Sequence, residues 1–312
     1  ITAGNIREET KGIESHISHT AELSVINAES IKRRKFKVVI DAVNGAASIA
    51  LPQMAKALGC DIKTINCTPN GDFKRGAEPL PANLNQLSNA VKEYSAQVGF
   101  ATDPDGDRLA IVDEKGNPLG EEYTLTICTD GFLYSTSSTK PIVTNLSTTM
   151  ALDRVSEKFG SKVVRSAVGE INVVNKMKEL GAELGGEGNG GIILPESHFG
   201  RDSLVGASMF LHRMAQDNQT VSELFDSMPK FIMVKDKIEL GSINPEAALD
   251  KIESEYKDSH IDKIDGLKLI WNNSWAHIRK SNTEPIIRIY AEAQDEIAVK
   301  SIIDDIKKVL NN

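Results

Sequence analysis

Asp103-Pro104-Asp105-Gly106-Asp107-Arg108 sets three carboxylates at alternate positions around a glycine and ends on a guanidinium. Like charges this close repel and raise one another's pKa values, and a divalent cation relieves both effects. An all-oxygen ligand set is hard and favours Mg2+ or Ca2+. Val98-Gly99-Phe100-Ala101 before the acids and Leu109-Ala110-Ile111-Val112 after them read as strands, while Pro104 and Gly106 interrupt any ladder, so the acids fall on a tight loop. A solvated acidic turn is the ordinary alternative, and three acids at this spacing weigh against it. An EF-hand would use Asp103, Asp105 and Asp107 at its first, third and fifth positions and Glu114 at its twelfth. It would also need glycine where Arg108 stands, and helices where strands are expected. A guanidinium beside a metal site implies a second anion there, such as a phosphate bridging metal and arginine.

Two further loops carry chemistry. Arg279-Lys280-Ser281-Asn282-Thr283-Glu284-Pro285, followed by Arg288, offers cations, hydroxyls and an amide between two strands. Arginine forks bind phosphate oxygens in pairs, and hydroxyls and loop amides fill the remaining acceptor sites. An exposed polar hairpin is the competing reading. Leu184-Gly185-Gly186-Glu187-Gly188-Asn189-Gly190-Gly191 lacks the lysine of a nucleotide-binding P-loop. Its Glu187 and Asn189 suit vicinal hydroxyls, since a carboxylate accepts two hydrogen bonds and an amide both donates and accepts. A flexible linker is the alternative, and the strand that follows at once favours an ordered turn.

The elements that must hold these loops show an α/β rhythm. Residues 1–35 are polar and poorly patterned, and read as a linker with room for a helical stretch. Strands are expected near 36–40, 61–66, 98–101 and 109–112, with helices at 51–58 and 84–94. After the polar break at 135–141 the pattern restarts with strands near 141–145, 162–165 and 191–194 and helices near 149–159 and 171–180. Beyond Met228-Pro229 come strands at 231–240, 267–271, 275–279 and 286–291 and helices at 245–256 and 296–310, the last with Ile297, Ile302, Ile306 and Leu310 at helical spacing. The expectation is two consecutive similar α/β domains with mixed sheets between helices, at 36–136 and 137–229, followed by a small α+β domain at 230–312. With 312 residues, two or three domains are expected. The net charge of -8 argues against a nucleic-acid or anionic-membrane surface, either of which needs a basic face. No apolar run is long enough to span a bilayer. Cys60, Cys67 and Cys128 are odd in number and lack metal-ligand spacing, so free thiols in a reducing, cytoplasmic compartment are expected.

Together the three loops resemble those of the α-D-phosphohexomutases, the family of phosphoglucomutase, phosphomannomutase and phosphoglucosamine mutase. In that family an Asp-x-Asp-Gly-Asp-Arg loop holds Mg2+, a Gly-Glu-x-Ser-Gly loop reads sugar hydroxyls, and an Arg-x-Ser-x-Thr-Glu-Pro loop grips the phosphate that is not being transferred. The matching segments stand here in family order at Asp103 to Arg108, Gly186 to Gly190 and Arg279 to Pro285. The resemblance implies Mg2+ on Asp103, Asp105 and Asp107, with Arg108 catalytic beside them. Glu187 and Asn189 would contact sugar, and Arg279, Ser281, Asn282, Thr283 and Arg288 the distal phosphate. Asn189 departs from the usual serine. Glu170 aligns with a proton-transfer position, and also reads as a first-turn glutamate favouring a helix N-terminus. Ser147 and Arg201-Asp202 fall near positions lining the family's cleft.

Family members react through a phosphoserine, usually in a Thr-Ala-Ser-His-Asn-Pro loop of the first domain. That motif is absent from these 312 residues, where Ser15-His16 and Ser197-His198 lack its flanks. With Ile1 in place of methionine, the expectation is a C-terminal three-domain part whose residues 1–35 are a linker or a remnant of a missing N-terminal phosphoserine domain. The parent reaction would be a hexose phosphate mutase working through a bisphosphate, inactive in this chain alone. A non-catalytic sugar-phosphate binding protein, or a metal-dependent phosphatase with an aspartate nucleophile, would be the alternatives.

Overall fold

The computed structural model describes residue 4 and residues 11–239, 244–280 and 286–311. Its first stretch holds α1 (Gly12–Glu22) and α2 (Ala28–Arg34), then β1 (Lys37–Asp41), α3 (Ala47–Ala57), β2 (Asp61–Ile65), α4 (Asn85–Tyr94), β3 (Val98–Thr102), β4 (Leu109–Asp113) and α5 (Glu122–Thr136). Next come β5 (Ile142–Asn145), α6 (Ala151–Lys158), β6 (Val163–Ser166), α7 (Glu170–Leu180), β7 (Gly185–Glu187), β8 (Gly191–Ile193), α8 (Ser203–Asp217) and α9 (Val221–Ser227). The last stretch runs β9 (Ile232–Glu239), α10 (Pro245–Glu255), β10 (His260–Asp262), β11 (Leu267–Trp271), β12 (Ser274–Lys280), β13 (Ile286–Ala293) and α11 (Glu296–Asn311). Two consecutive α/β domains and a sheet-and-helix C-terminal domain follow one another, as the hydrophobic pattern requires. Among the described residues no helix is long and apolar enough to cross a membrane.

By contact, the chain divides into two compact units, one of residues up to 136 with 190–225 and one of 137–189 with 226 onward. In the first, the sheet order is β2-β1-β3-β4, with β1 parallel to β2 and β3 and the β3-β4 pair antiparallel. Both β3 and β4 are buried along their whole length, which explains why they read as near-continuous apolar runs. Residues 12–34, whose composition suggests a linker, contain two packed helices that bury Ile17, Leu23, Val25, Ile26 and Ile31. Asn27 caps α2 by accepting from the Ser30 N–H at 3.0 Å, and Lys32, Arg33 and Arg34 fill its last turn, where the helix dipole favours cations.

In the second unit β5 lies between β6 and β7, parallel to both. The C-terminal sheet, ordered β10-β11-β12-β13-β9, is antiparallel throughout. Leu269, Ile278, Ile287 and Ile289 of this sheet share one core with Ala248 and Ile252 of α10 and Val299, Ile303, Ile306 and Leu310 of α11. Ile297, expected on the buried face of α11, is instead 83% exposed. The helix rotates so that Val299 and Ile303, four residues apart, face the sheet.

A buried polar network joins the turn after β5 to that sheet. Lys268 Nζ donates to the Leu146 carbonyl and lies 4.1 Å from the Trp275 ring centroid. Glu292 accepts from Trp275 Nε1 at 2.8 Å and from the Met150 N–H at 2.7 Å. His277 Nε2 faces the Asp265 carbonyl at 2.6 Å, so it carries the proton, and Nδ1 accepts from the Ser147 hydroxyl at 2.8 Å. Burial pushes the His277 imidazole down to about 4.

Ile306→Ala should cost about 2–5 kcal/mol in urea unfolding through transfer and cavity terms, whereas Ile297→Ala should stay within about 0.5 kcal/mol. Equal losses would misplace the core face of α11. Because the folded His277 pKa lies below the unfolded one, the unfolded chain binds the extra proton between them. Its contribution is therefore complete above about pH 6.5 and is lost, by about 3 kcal/mol, as pH falls to about 4. The pH profile of His277→Leu should be shallower over that window, and parallel profiles would contradict the assignment.

Candidate functional site

The acidic loop is the connection of an antiparallel hairpin, since Thr102 at the end of β3 pairs with Leu109 at the start of β4. Strands flank it, as the sequence requires and an EF-hand forbids. Two elements clamp it from outside. At the start of α3 the Ala46 N–H donates to the Pro104 carbonyl at 2.8 Å. A Cβ on neighbouring Gly45 would sit 2.4 Å from that carbonyl oxygen, so only glycine permits the approach. At the start of α8, Ser203 Oγ donates to the Gly106 carbonyl at 2.6 Å, and Gly106 itself takes φ +78.

Held this way, Asp103, Asp105 and Asp107 each present a carboxylate oxygen within 4.8 Å of the others. Asp103 is buried, and its Oδ1 accepts the N–H groups of Asp107 and Arg108, both at 3.1 Å. Arg108 Nε faces Asp103 Oδ2 at 3.3 Å, and its Nη1 pairs with Glu78. Asp107 Oδ2 pairs with Arg201, while its buried Oδ1 receives no hydrogen bond and has Arg108 Nε only at 3.8 Å. Burial, reinforced by the neighbouring carboxylates, pushes Asp103 up to about 7. Burial first, and then the Asp105 charge, also raises Asp107 against the pull of Arg201. A buried carboxylate oxygen without a hydrogen bond, between Asp103 and Asp107 groups that resist ionisation, fits a hard divalent cation. Arg75 stabilises the hairpin from beneath, with Nε 2.9 Å from buried Asp41 and Nη2 donating to the Thr102 carbonyl. Neither Arg75 nor Glu78 carries any local sequence signal, because each acts across a long loop.

In the second unit, Glu187 ends β7 and is buried. Its Oε1 accepts from Asn145 Nδ2 at 2.7 Å and from the Gly169 N–H at 3.2 Å, and Asn189 Nδ2 lies 3.5 Å from Oε2. Gly188 N–H donates to Thr148 Oγ1 at 3.1 Å. The glycine-rich stretch is thus an ordered strand and turn fixed to the end of β5. Asn145 escaped sequence reasoning because it looks like the polar end of an apolar strand. Glu170 is the first residue of α7, directly after Gly169, where a carboxylate meets the helix dipole.

Arg279 and Arg288 are cross-strand partners on β12 and β13, and Arg288 also pairs in register with Lys237 of β9. Cross-strand partners share a face, so three cations stand side by side opposite the face that Ile278, Ile287 and Ile289 bury. Like charges in that arrangement repel and favour an anion between them. Arg279 Nη1 also lies 3.7 Å from Asp265 Oδ2. Ser281, Asn282 and Thr283 lie outside the described residues. Lys237 carries no motif and emerges only from strand register.

The chain matches family models in series. Residues 14–116 match the phosphoglucomutase/phosphomannomutase alpha/beta/alpha domain II, residues 120–231 domain III and residues 234–309 the C-terminal domain. It is 34% identical over 282 residues to a phosphoglucomutase/phosphomannomutase of Thermococcus kodakarensis, covering 89% of this chain and 61% of that one. A phosphoglucosamine/phosphogalactosamine mutase of Sulfurisphaera tokodaii is 32% identical over 310 residues, 98% of this chain and 68% of its own. A crystal structure of a phosphoglucomutase/phosphomannomutase family protein from Burkholderia thailandensis superposes with a TM-score of 0.82 at 26% identity, covering 96% of this chain and 64% of that one. The chain thus spans about two thirds of the length of these relatives. In three successive domains that include the acidic hairpin, it belongs to the phosphoglucomutase/phosphomannomutase family.

Proposed function

We propose that this chain supplies the metal, sugar and distal-phosphate contacts of a Mg2+-dependent hexose phosphate mutase of the phosphoglucomutase, phosphomannomutase or phosphoglucosamine mutase class. The observation that carries the reading is the acidic loop, with its three converging carboxylates, an Asp107 Oδ1 that receives no hydrogen bond and Arg108 alongside. Asp103, Asp105 and Asp107 would hold Mg2+, which when bound neutralises charge on a transferring phosphoryl group. Arg108 stands ready as a second positive contact for the same group, and Arg201 keeps Asp107 oriented.

Transfer breaks the bond between phosphorus and a serine oxygen and forms one to a sugar hydroxyl, whose proton must leave. Glu170 is the proposed acceptor of that proton. The returning step moves the other phosphate of the bisphosphate back to serine. Glu187 and Asn189 orient the ring hydroxyls, while Arg279, Arg288 and the loop residues Ser281, Asn282 and Thr283 grip the phosphate that stays. No Thr-Ala-Ser-His-Asn-Pro loop occurs in the 312 residues, and the proposed reading takes the phosphoserine from outside them.

Asp107→Asn should weaken Mg2+ binding by about tenfold or more in calorimetry, with the circular dichroism spectrum unchanged. Unaltered affinity would remove the loop from the metal site. In a coupled assay the 312-residue chain alone should interconvert none of the 1- and 6-phosphates of glucose, mannose or glucosamine. Clear turnover would contradict the need for an external phosphoserine.

A further inference from the structure

A second convergence of ligand atoms lies in the first unit, between α1 and the turn that leads into α8. His16 Nε2 stands 2.7 Å and His198 Nε2 3.0 Å from the same oxygen, Asp202 Oδ2. The three donor atoms fall within 4.8 Å of one another. The two rings are tilted by 50° with centroids 5.9 Å apart, so their Nε2 corners meet without stacking. Asp202 is buried, and its other oxygen is fixed as the N-cap of α8, accepting the N–H groups of Leu204 at 2.7 Å and Val205 at 3.1 Å. One carboxylate oxygen is therefore anchored by the helix and the other is aimed at two imidazoles.

We propose that His16, His198 and Asp202 form a binding site for a divalent transition ion, with Zn2+ the expected occupant. Two imidazole nitrogens and one carboxylate oxygen are a borderline donor set, unlike the all-oxygen acidic loop, and such sets select Zn2+ over Mg2+. Zn2+ bonds of about 2 Å place neighbouring donors roughly 3 Å apart, close to the spacing already present around Asp202 Oδ2. The capped Oδ1 is the outer support that holds a ligating carboxylate in orientation. Binding replaces the Nε2 protons that now point at Asp202. A neutral imidazole moves its N–H to Nδ1, an imidazolium releases its proton to solvent, and no further reactant is needed. His16 and His198 keep one third to almost one half of their side-chain surface exposed, which leaves an open path for the ion and for a water in the fourth position. The bound ion would pin α1 to the first turn of α8, one residue from the Arg201 that orients Asp107.

The test is calorimetric titration of the EDTA-treated chain with ZnCl2 in saturating Mg2+, together with the visible absorption of bound Co2+. The expected result is one Zn2+ per chain, low-coordinate Co2+ bands, and a loss of affinity of about tenfold or more in both His16→Gln and His198→Gln. His198 is exposed, so its replacement should leave the circular dichroism spectrum unchanged, and Asp107→Asn should bind Zn2+ as the natural chain does. Equal Zn2+ affinity in the two histidine variants, loss confined to Asp107→Asn, or no Zn2+ uptake in saturating Mg2+ would each overturn the proposal and leave a hydrogen-bonded cluster only.

Discussion

Mutual repulsion among Asp103, Asp105 and Asp107 is the constraint around which the first unit is built. Carboxylates left to themselves would splay into solvent, yet the β3-β4 hairpin, the first turn of α3 and the start of α8 press them into one small volume. Burial raises the cost of their charge, as the position of Asp103 near 7 shows. Arg108 and Arg201 offset part of that cost, and a divalent cation would offset the rest. The close contact of Gly45 with Pro104 belongs to the same design, because any larger residue would push the loop away from its supports.

The second unit applies the same logic with the opposite sign. Register across β12, β13 and β9 aligns Arg279, Arg288 and Lys237 on one face. Such a row is unfavourable in isolation and favourable around an anion. Glu187 is treated differently. Its carboxylate is tied to Asn145 and to the Gly169 N–H, so its orientation is set before any ligand arrives.

What could be read from the chain follows the range of the interactions. The acidic loop was legible because its chemistry is local, in six consecutive residues with strands on either side. Most strands and amphipathic helices followed from apolar spacing, whereas the short β7, β10 and α9 did not. Helices α5 and α8 did not, because residues 123–133 and most of α8 are buried on all sides and show no apolar stripe. Residues 12–34 look like a linker because their buried positions are few and scattered among polar ones. Ile297 fits the helical spacing of α11 yet faces solvent, since spacing alone does not fix which of two adjacent stripes meets the sheet. Arg75, Glu78, Asn145 and Lys237 support the candidate sites from far along the chain, and such pairings have no local signature.

At the tip of the β3-β4 hairpin the chain's own carboxylates are expected to gather a cation. Anomalous diffraction from a crystal of this chain soaked in Mn2+ addresses it directly. A peak bounded by oxygens of Asp103, Asp105 and Asp107 is expected. A Mn2+ peak elsewhere, with none among these three carboxylates, would contradict it.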